Sequence, residues 1–180
     1  MDLQKLTQQL DDLSQSPPFE KWNPPFCGDI DMEIKKDGRW FYMGSPIGRI
    51  KLVKLFASVL LKENNEYFLK TPAEKIRIKV EDAPFVITEW EIKNTNEGDA
   101  ILVTSNIGQQ VVLGDLHPLI NETADDENAE PKLYVELNRG LRARVHRNVF
   151  YQWVSDQDSP VIEKNEQLFL VSAKQNFLLG

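Results

Sequence analysis

The side chains best suited to chemistry in this chain are basic, and they crowd into one short stretch. This basic stretch contains no acid and holds Arg139, Arg142, Arg144, His146 and Arg147. After Gly140 the basic residues at 142, 144 and 146 alternate with apolar ones, so on a strand these three share one face. Guanidinium groups bind phosphate in bidentate fashion. The stretch therefore predicts an anion-binding face; the alternative is a solvated outer face balanced by Glu136 and the acids of residues 125–130.

A second candidate is the turn at residues 44–49, Gly-Ser-Pro-Ile-Gly-Arg. Ser45 suits an N-cap and Pro46 a first helical position, which predicts a helix running to about Lys62. Its free N–H groups, with Arg49 in the first turn and Arg39 nearby, would form a phosphate seat. The turn lacks the ending of a P-loop and the glycines of a nucleophile elbow. Ordinary helix capping is the alternative.

The remaining candidates each have a simpler structural explanation. Glu74 and Asp82 offer carboxylates to a base, a ribose or a metal, but turn chemistry before Pro84 explains Asp82 nearly as well. His117 has the type of a general base, yet without a nucleophile it reads as a turn histidine bonded to backbone. Trp40 is able to stack on a base or to fill the core. Cys27 is either a redox-sensitive thiol or a small buried apolar group.

Composition excludes several classes of function. The chain has 21 basic and 28 acidic residues, and a net charge of −7 argues against binding along nucleic-acid backbones. One cysteine and two histidines exclude a disulfide and a three-histidine zinc site. No apolar run approaches the ~20 residues of a membrane span, and residues 1–12 lack a signal-peptide pattern. We therefore expect a cytoplasmic protein with no metal, no cofactor and no membrane contact.

The elements that must position these groups fall into two domains. Residues 1–72 hold ten basic and ten acidic side chains, so the whole net charge lies on residues 73–180. Leucines at 3, 6, 10 and 13 predict an amphipathic helix over residues 1–13, followed by a proline-rich arm. Asp37-Gly38 between apolar runs predicts a hairpin. Beyond residue 73, short alternating segments predict an antiparallel, barrel-like sheet.

An internal repeat links the two domains. A shift of about 102 residues brings Gly38 onto Gly140, Ile47 onto Val149, and the strand at 67–69 onto 169–171. Both copies then read strand, turn, strand, helix, strand. We infer a duplicated ββαβ motif in an α+β fold, and we expect a ligand cleft between the two domains.

Nine short motifs, in this order, resemble those of a known family. They are Trp22-Asn23-Pro24, Cys27-Gly28-Asp29, Gly38-Arg39-Trp40, Gly44-Ser45-Pro46-Ile47, Leu55-Phe56, Thr71-Pro72-Ala73-Glu74-Lys75, Glu81-Asp82-Ala83-Pro84-Phe85, His117-Pro118-Leu119 and Arg139-Gly140-Leu141-x-Ala143-Arg144. The set resembles the DUF1285 family of small bacterial proteins of unknown function. The resemblance implies two α+β domains, the second superficially like a pleckstrin-homology barrel. It also implies an interface site for a nucleotide-like molecule in signal transduction, and no catalytic residues. Asn148 departs from the family's Arg-Pro pattern.

The sequence thus predicts a non-enzymatic binding or sensing protein for a small anionic, nucleotide-like molecule. Its candidate ligand-binding residues are Arg39, Trp40, Ser45, Arg49, Glu74, Asp82, His117, Arg139, Arg142, Arg144 and Arg147. The first alternative is a protein-interaction adaptor that uses the pleckstrin-homology-like domain and residues 1–13. The second is an enzyme of unknown reaction, which ranks lower because no nucleophile–base pair is evident in the sequence.

Overall fold

A computed structural model describes residues 18–96, 98–123 and 131–180. The helix predicted over residues 1–13 and the acidic loop at 124–130 lie outside the described residues. The chain divides into two compact units. The first extends to Pro84 and also includes Arg139–Leu141, and the second comprises Phe85–Asn138 and Arg142–Gly180.

The first unit is built on one mixed sheet and one helix. Its strands are β1 (Phe26–Ile34), β2 (Trp40–Tyr42), β3 (Ser45–Pro46), β4 (Leu60–Glu63), β5 (Glu66–Lys70) and β6 (Lys75–Val80), and its helix is α1 (Ile50–Ser58). The strand order is β3-β2-β1-β6-β5-β4, with β1 and β6 parallel and the other neighbours antiparallel. β6 lies beyond residue 72, where the change of charge placed the end of the first domain.

Local sequence signals explain the hairpin that starts this sheet. β1 and β2 pair with Ile34 opposite Trp40, and Gly38 turns the chain with a φ of 82°, which glycine adopts without steric cost. Trp40 is 1% exposed and stacks on Phe56 of α1 with ring centroids 6.2 Å apart. The predicted hairpin is confirmed, and its tryptophan belongs to the core.

The helix predicted from residue 45 to Lys62 was wrong at both ends. Ser45 and Pro46 form β3, Arg49 is the N-cap, and the helix ends at Ser58. Beyond the helix the apolar run continues as β4, paired with β5. A short apolar run that is buried on both sides does not distinguish helix from strand by periodicity, which is why the prediction extended too far.

The second unit contains two sheets and one helix. Its first sheet has β7 (Phe85–Thr95), β8 (Gly98–Ser105), β9 (Gln110–Val112), β10 (Leu119–Asn121), β11 (Leu133–Glu136) and β12 (Arg142–Val145). Helix α2 (Arg147–Ser155) follows, and then β13 (Val161–Lys164), β14 (Gln167–Ser172) and β15 (Gln175–Leu178) form an antiparallel sheet. The first sheet is ordered β10-β11-β12-β7-β8-β9 and is antiparallel except for the β12–β7 pair. The α+β class with two domains is confirmed.

The repeated motif is visible in both units. Each copy has a hairpin, a nine-residue helix and a second hairpin. The second hairpins turn through paired residues of positive φ, Asn64-Asn65 in one copy and Asn165-Glu166 in the other. Asn148 does not displace the second helix, because its N–H is accepted by Nδ1 of the N-cap His146 at 3.2 Å.

The described residues contain no helix that is both long enough and apolar enough to cross a membrane.

Candidate functional site

The basic stretch does not form a single cluster, because Arg139 belongs to the first unit. Arg139 has a φ of 61° in the turn after β11, and its Nη1 donates a hydrogen bond to the Ser58 carbonyl at 2.6 Å. The guanidinium carbon lies 4.7 Å from the centroid of the Phe19 ring. Although the residue as a whole is exposed, its guanidinium is covered, and this burial lowers its pKa. Arg139 therefore serves packing within the first unit.

The rest of the basic stretch lies on the second unit's sheet and helix. Ala143 and Val145 are buried while Arg142 and Arg144 are half-buried, which is the alternation that the sequence predicts. Arg142 lies 3.9 Å over the Tyr134 ring and donates to the Glu122 carboxylate. Arg142 thus forms an ion pair with Glu122, although Glu136 is its partner in strand register.

Arg147 occupies the first turn of α2 and contacts its own helix. Its Nε and Nη2 donate to the Tyr151 hydroxyl at 3.0 and 2.8 Å. Arg142 and Arg147 therefore have different hydrogen-bond partners, Glu122 and Tyr151.

The turn at residues 44–49 does not provide the predicted phosphate seat. Ser45 lies in β3 and caps no helix, while Arg49 is an exposed N-cap outside the first turn. Arg39, with 69% of its side chain exposed, pairs with Asp37 through Nε at 2.7 Å. Trp40 is enclosed in the core, where its Nε1 has no hydrogen-bond partner among the described residues.

The remaining predicted residues lie in turns. The Glu74 carbonyl accepts the Thr71 N–H at 2.9 Å, and Asp82 follows β6, half-buried. Nδ1 of His117 lies 2.9 Å from the Glu136 carbonyl, as expected for a turn histidine bonded to backbone. The expectation of a buried Cys27 was wrong, because the thiol is exposed and donates to the Pro25 carbonyl at 3.3 Å. Among the described residues no three His, Cys, Asp or Glu side chains group as metal ligands.

The structure shows a further candidate on the first unit, a groove of about 420 Å³. We call it the Arg77 groove, and its lining comes from β1, the β4–β5 turn, β5 and β6. The lining residues are Asp29, Ile30, Asn65, Glu66, Tyr67, Arg77, Ile78, Lys79 and Val80. Its volume lies within the usual range of small-molecule sites, about 300–1,000 Å³.

Arg77 lies on β6 and forms ion pairs with an acid on each neighbouring strand, Asp29 of β1 and Glu66 of β5. Its Nε and Nη2 donate to the two Asp29 oxygens at 2.7 and 3.1 Å, and its Nη1 donates to Glu66 Oε1 at 2.6 Å. The hydrogen bond from Arg77 lowers the pKa of the Asp29 carboxyl, and the two carboxylates together raise the pKa of Arg77. The three side chains form a triad with a net charge of −1.

Lys79 lies two residues further along β6 and is exposed. Its ammonium group makes no ion pair or hydrogen bond within the part of the chain that the structure describes. Glu33, its neighbour in register on β1, is already paired with Lys35 at 2.9 Å, and Lys35 also bonds Glu81. The groove thus presents an exposed Lys79 ammonium that makes no ion pair or hydrogen bond among the described residues, and its charge helps to lower the pKa of the nearby Asp29 carboxyl.

Sequence reasoning missed this groove although it identified the strand. Arg77 and Lys79 alternate with buried residues in β6, which indicates only a polar face. Asp29 reaches Arg77 through the parallel pairing of β1 with β6, and no local signal predicts that pairing. The sequence shows that Asp29 and Glu66 are acidic and so able to pair with Arg77, but it does not show that they lie beside it.

Comparisons with known proteins match both halves of the chain. Residues 17–83 match the family model "Domain of unknown function (DUF1285), N-terminal domain", and residues 84–179 match "Protein of unknown function (DUF1285), C-terminal domain". A crystal structure of a DUF1285 family protein from Silicibacter pomeroyi DSS-3 is similar, with TM-score 0.82 and 35% identity over 97% of this chain and 93% of that chain. Another, from Shewanella baltica OS155, has TM-score 0.55 and 33% identity over 69% of this chain and 91% of that chain. No curated protein matches the chain.

Proposed function

The chain belongs to the DUF1285 family, as its motifs predict, and from this premise we propose that it is a non-enzymatic protein that binds a small anionic molecule in the Arg77 groove. The observation that carries the proposal is the exposed Lys79 ammonium, which makes no ion pair or hydrogen bond among the described residues, in a groove of about 420 Å³. An exposed ammonium group without an ion pair is available to bind a carboxylate or phosphate.

Arg77 supports the same proposal through its spare donors. A guanidinium has five N–H groups, and Asp29 and Glu66 accept three of them. One N–H on Nη1 and one on Nη2 remain for a ligand whose anionic group rests on Lys79. These donors would orient the ligand along β6.

The same contacts favour binding over catalysis. A general base needs a carboxylate with a basic lone pair directed at the substrate. Asp29 is held through both oxygens by Arg77, which also lowers its pKa, and the groove lining contains no Ser, Cys or His.

Isothermal titration tests the proposal with two anionic probes of different shape, AMP and N-acetyl-dialanine. We expect saturable binding of at least one probe, weakened about fivefold by Lys79→Ala, which is the upper range for a solvent-exposed charge pair. Lys54→Ala is the matched control, because Lys54 is an exposed lysine of α1 outside the groove. Absence of binding at millimolar probe, or an equal loss in the control, would contradict the proposal.

A further inference from the structure

We infer that the outer edge of strand β9 pairs with the same strand of a second copy of this chain, so that the two copies share one continuous sheet. β9 (Gln110–Val112) is an edge strand of the six-stranded sheet of the second unit, next to β8. The inference concerns the second unit alone and does not depend on the Arg77 groove of the first.

The hydrogen bonds to β8 fix the direction in which each backbone group of β9 points. Leu113 N–H, just beyond the strand, donates to the Ile101 carbonyl at 2.9 Å. Bonded and non-bonded positions alternate along an antiparallel strand, so Val111 bonds to β8 while Gln110 and Val112 turn their N–H and C=O groups away from it. Among the described residues, these outward groups make no hydrogen bond.

The outward groups select one register for two copies. The N–H groups of Gly108 and Gly114, on either side of β9, are already bonded within their own turns. An antiparallel pair with its two-fold axis at Val111 places Gln110 of each copy opposite Val112 of the other. This register uses both outward N–H groups and both outward carbonyls of each copy, and needs no group that is bonded elsewhere.

The sequence of this edge suits pairing with its own copy. Residues 100–114 contain no charged residue, although 27% of the chain is charged. Edge strands are commonly protected from pairing by charge, proline or a bulge. β13 has Glu163 and Lys164, and β3 has Pro46, whereas β9 has neither charge nor proline and pairs with β8 in unbroken register. Two-fold pairing of β9 therefore brings no like charges together.

Exposed apolar side chains lie at the same edge. Val112 is 40% exposed on β9, and Leu116, in the turn that follows, is 86% exposed. In an antiparallel pair the end of one β9 lies beside the start of the other, so Leu116 approaches the turn at residues 106–108 of the second copy. Burial of both side chains adds a hydrophobic contribution to the interchain hydrogen bonds.

Sedimentation velocity of the full chain, from about 10 to about 500 μM, tests the inference. An edge this short makes an interface smaller than the standard size, so we expect a weak dimer that appears at about 100 μM. Hydrogen exchange should show the amides of Gln110 and Val112 gaining protection as the dimer forms. A chain that stays monomeric at about 500 μM, or a dimer that leaves both amides unprotected, would overturn the inference.

Two variants locate the contact. Val112→Pro removes an N–H that points away from β8, so it keeps the β8–β9 ladder while each copy loses one interchain hydrogen bond, and dimerisation should weaken about thirtyfold. Val112→Lys places an ammonium group from each copy on one face of the joined sheet and should weaken dimerisation about tenfold.

Ile120→Lys is the matched control, because Ile120 is 39% exposed on β10, at the opposite edge of the same sheet. It should leave the dimer unchanged. Far-ultraviolet circular dichroism confirms that each variant is folded. Undiminished association of Val112→Pro, or an equal loss in Ile120→Lys, would overturn the inference.

Discussion

The two copies of the repeated motif each carry a fully buried hydroxyl at the end of the second hairpin, but the two hydroxyls have different partners. In the first copy Thr71 Oγ1 accepts from the N–H groups of Ala73 and Glu74 at 3.3 and 3.1 Å. In the second copy Ser172 Oγ accepts from Ile101 N–H at 2.8 Å and donates to the Leu113 carbonyl at 2.7 Å. The first hydroxyl closes its own turn, and the second joins two sheets.

This difference reflects how each copy is completed. In the first copy β6 returns to pair with β1, so hairpins and final strand form one sheet. In the second copy β7, which precedes the motif in sequence, pairs with β12, and β13 to β15 form a separate sheet. In the second copy the Ser172 hydroxyl therefore joins the separate sheet to β8 by a hydrogen bond. In the first copy the strands are already joined in one sheet by strand pairing. The same motif thus occurs once within a single sheet and once divided between two sheets.

The largest effects should come from the tryptophans that fill the two cores. Trp40 packs on Phe56 and Trp153 packs on Trp90, and neither tryptophan is more than 1% exposed. Trp40→Ala and Trp153→Ala should each lower the free energy of unfolding by about 3–5 kcal/mol, measured by urea denaturation. Replacement by Phe should cost less, because it keeps most of the volume and removes an indole N–H that is unpaired among the described residues. A cost below about 1 kcal/mol for either alanine variant would show that its core had been misjudged.

Removal of the buried hydroxyls of Ser172 and Thr71 should give the next largest losses of stability. Ser172→Ala leaves the buried Ile101 N–H and Leu113 carbonyl without partners, and we expect a loss of about 3 kcal/mol. Thr71→Val should cost only about 1 kcal/mol, because Ala73 is exposed and water replaces the hydroxyl there. Urea denaturation of both variants checks the order. A larger loss for Thr71→Val would reverse the comparison of the two copies.

Two turn glycines of positive φ, Gly140 after β11 and Gly44 between β2 and β3, should differ less. Gly140 has a φ of 70°, and a Cβ there would lie 2.9 Å from the Lys62 carbonyl oxygen. Gly140→Ala should therefore cost about 2 kcal/mol from backbone strain together with a clash. Gly44→Ala is the control, with a φ of 76° and open space, and should cost about 1 kcal/mol. Equal thermal shifts would show that the contact at Gly140 is relieved at no cost.

The smallest effect that we expect is a loss of stability of the first unit at low pH. The carboxyl groups of Asp29, Asp37 and Glu81 have lowered pKa values, through hydrogen bonds from Arg77, Arg39 and Lys35, and all three lie in the first unit. A carboxyl with a lowered folded pKa stabilises the fold above its unfolded pKa, and this stability disappears as pH falls through the folded value. Hydrogen exchange should therefore show amides of β1 and β6 losing protection below about pH 4. Asp29→Asn should remove part of that pH dependence, and an unchanged profile would count against the Arg77 triad.

Local signals in the sequence account for most of the elements, and long-range pairing accounts for what they missed. Asp37-Gly38 and the alternation of residues 76–80 are local, and both predictions are confirmed. The parallel pairs β1–β6 and β12–β7 join distant segments, and they place Asp29 beside Arg77. The basic stretch is contiguous in sequence, but Arg139 has a positive φ and belongs to the first unit, whereas Arg142 belongs to the second. Residues that are contiguous in sequence therefore fall in two different units, and no local signal predicts that division.

The placement of residues 139–141 in the first unit has a consequence for synthesis on the ribosome. Arg139 bonds the Ser58 carbonyl and covers Phe19, so the first unit lacks these contacts until that turn has been translated. The turn is made about 55 residues after Pro84, a delay of roughly 3–11 s at ordinary elongation rates of about 5–20 residues per second. The first unit begins folding first yet receives its last contacts late, and a protease cut between Pro84 and Phe85 would release it without them.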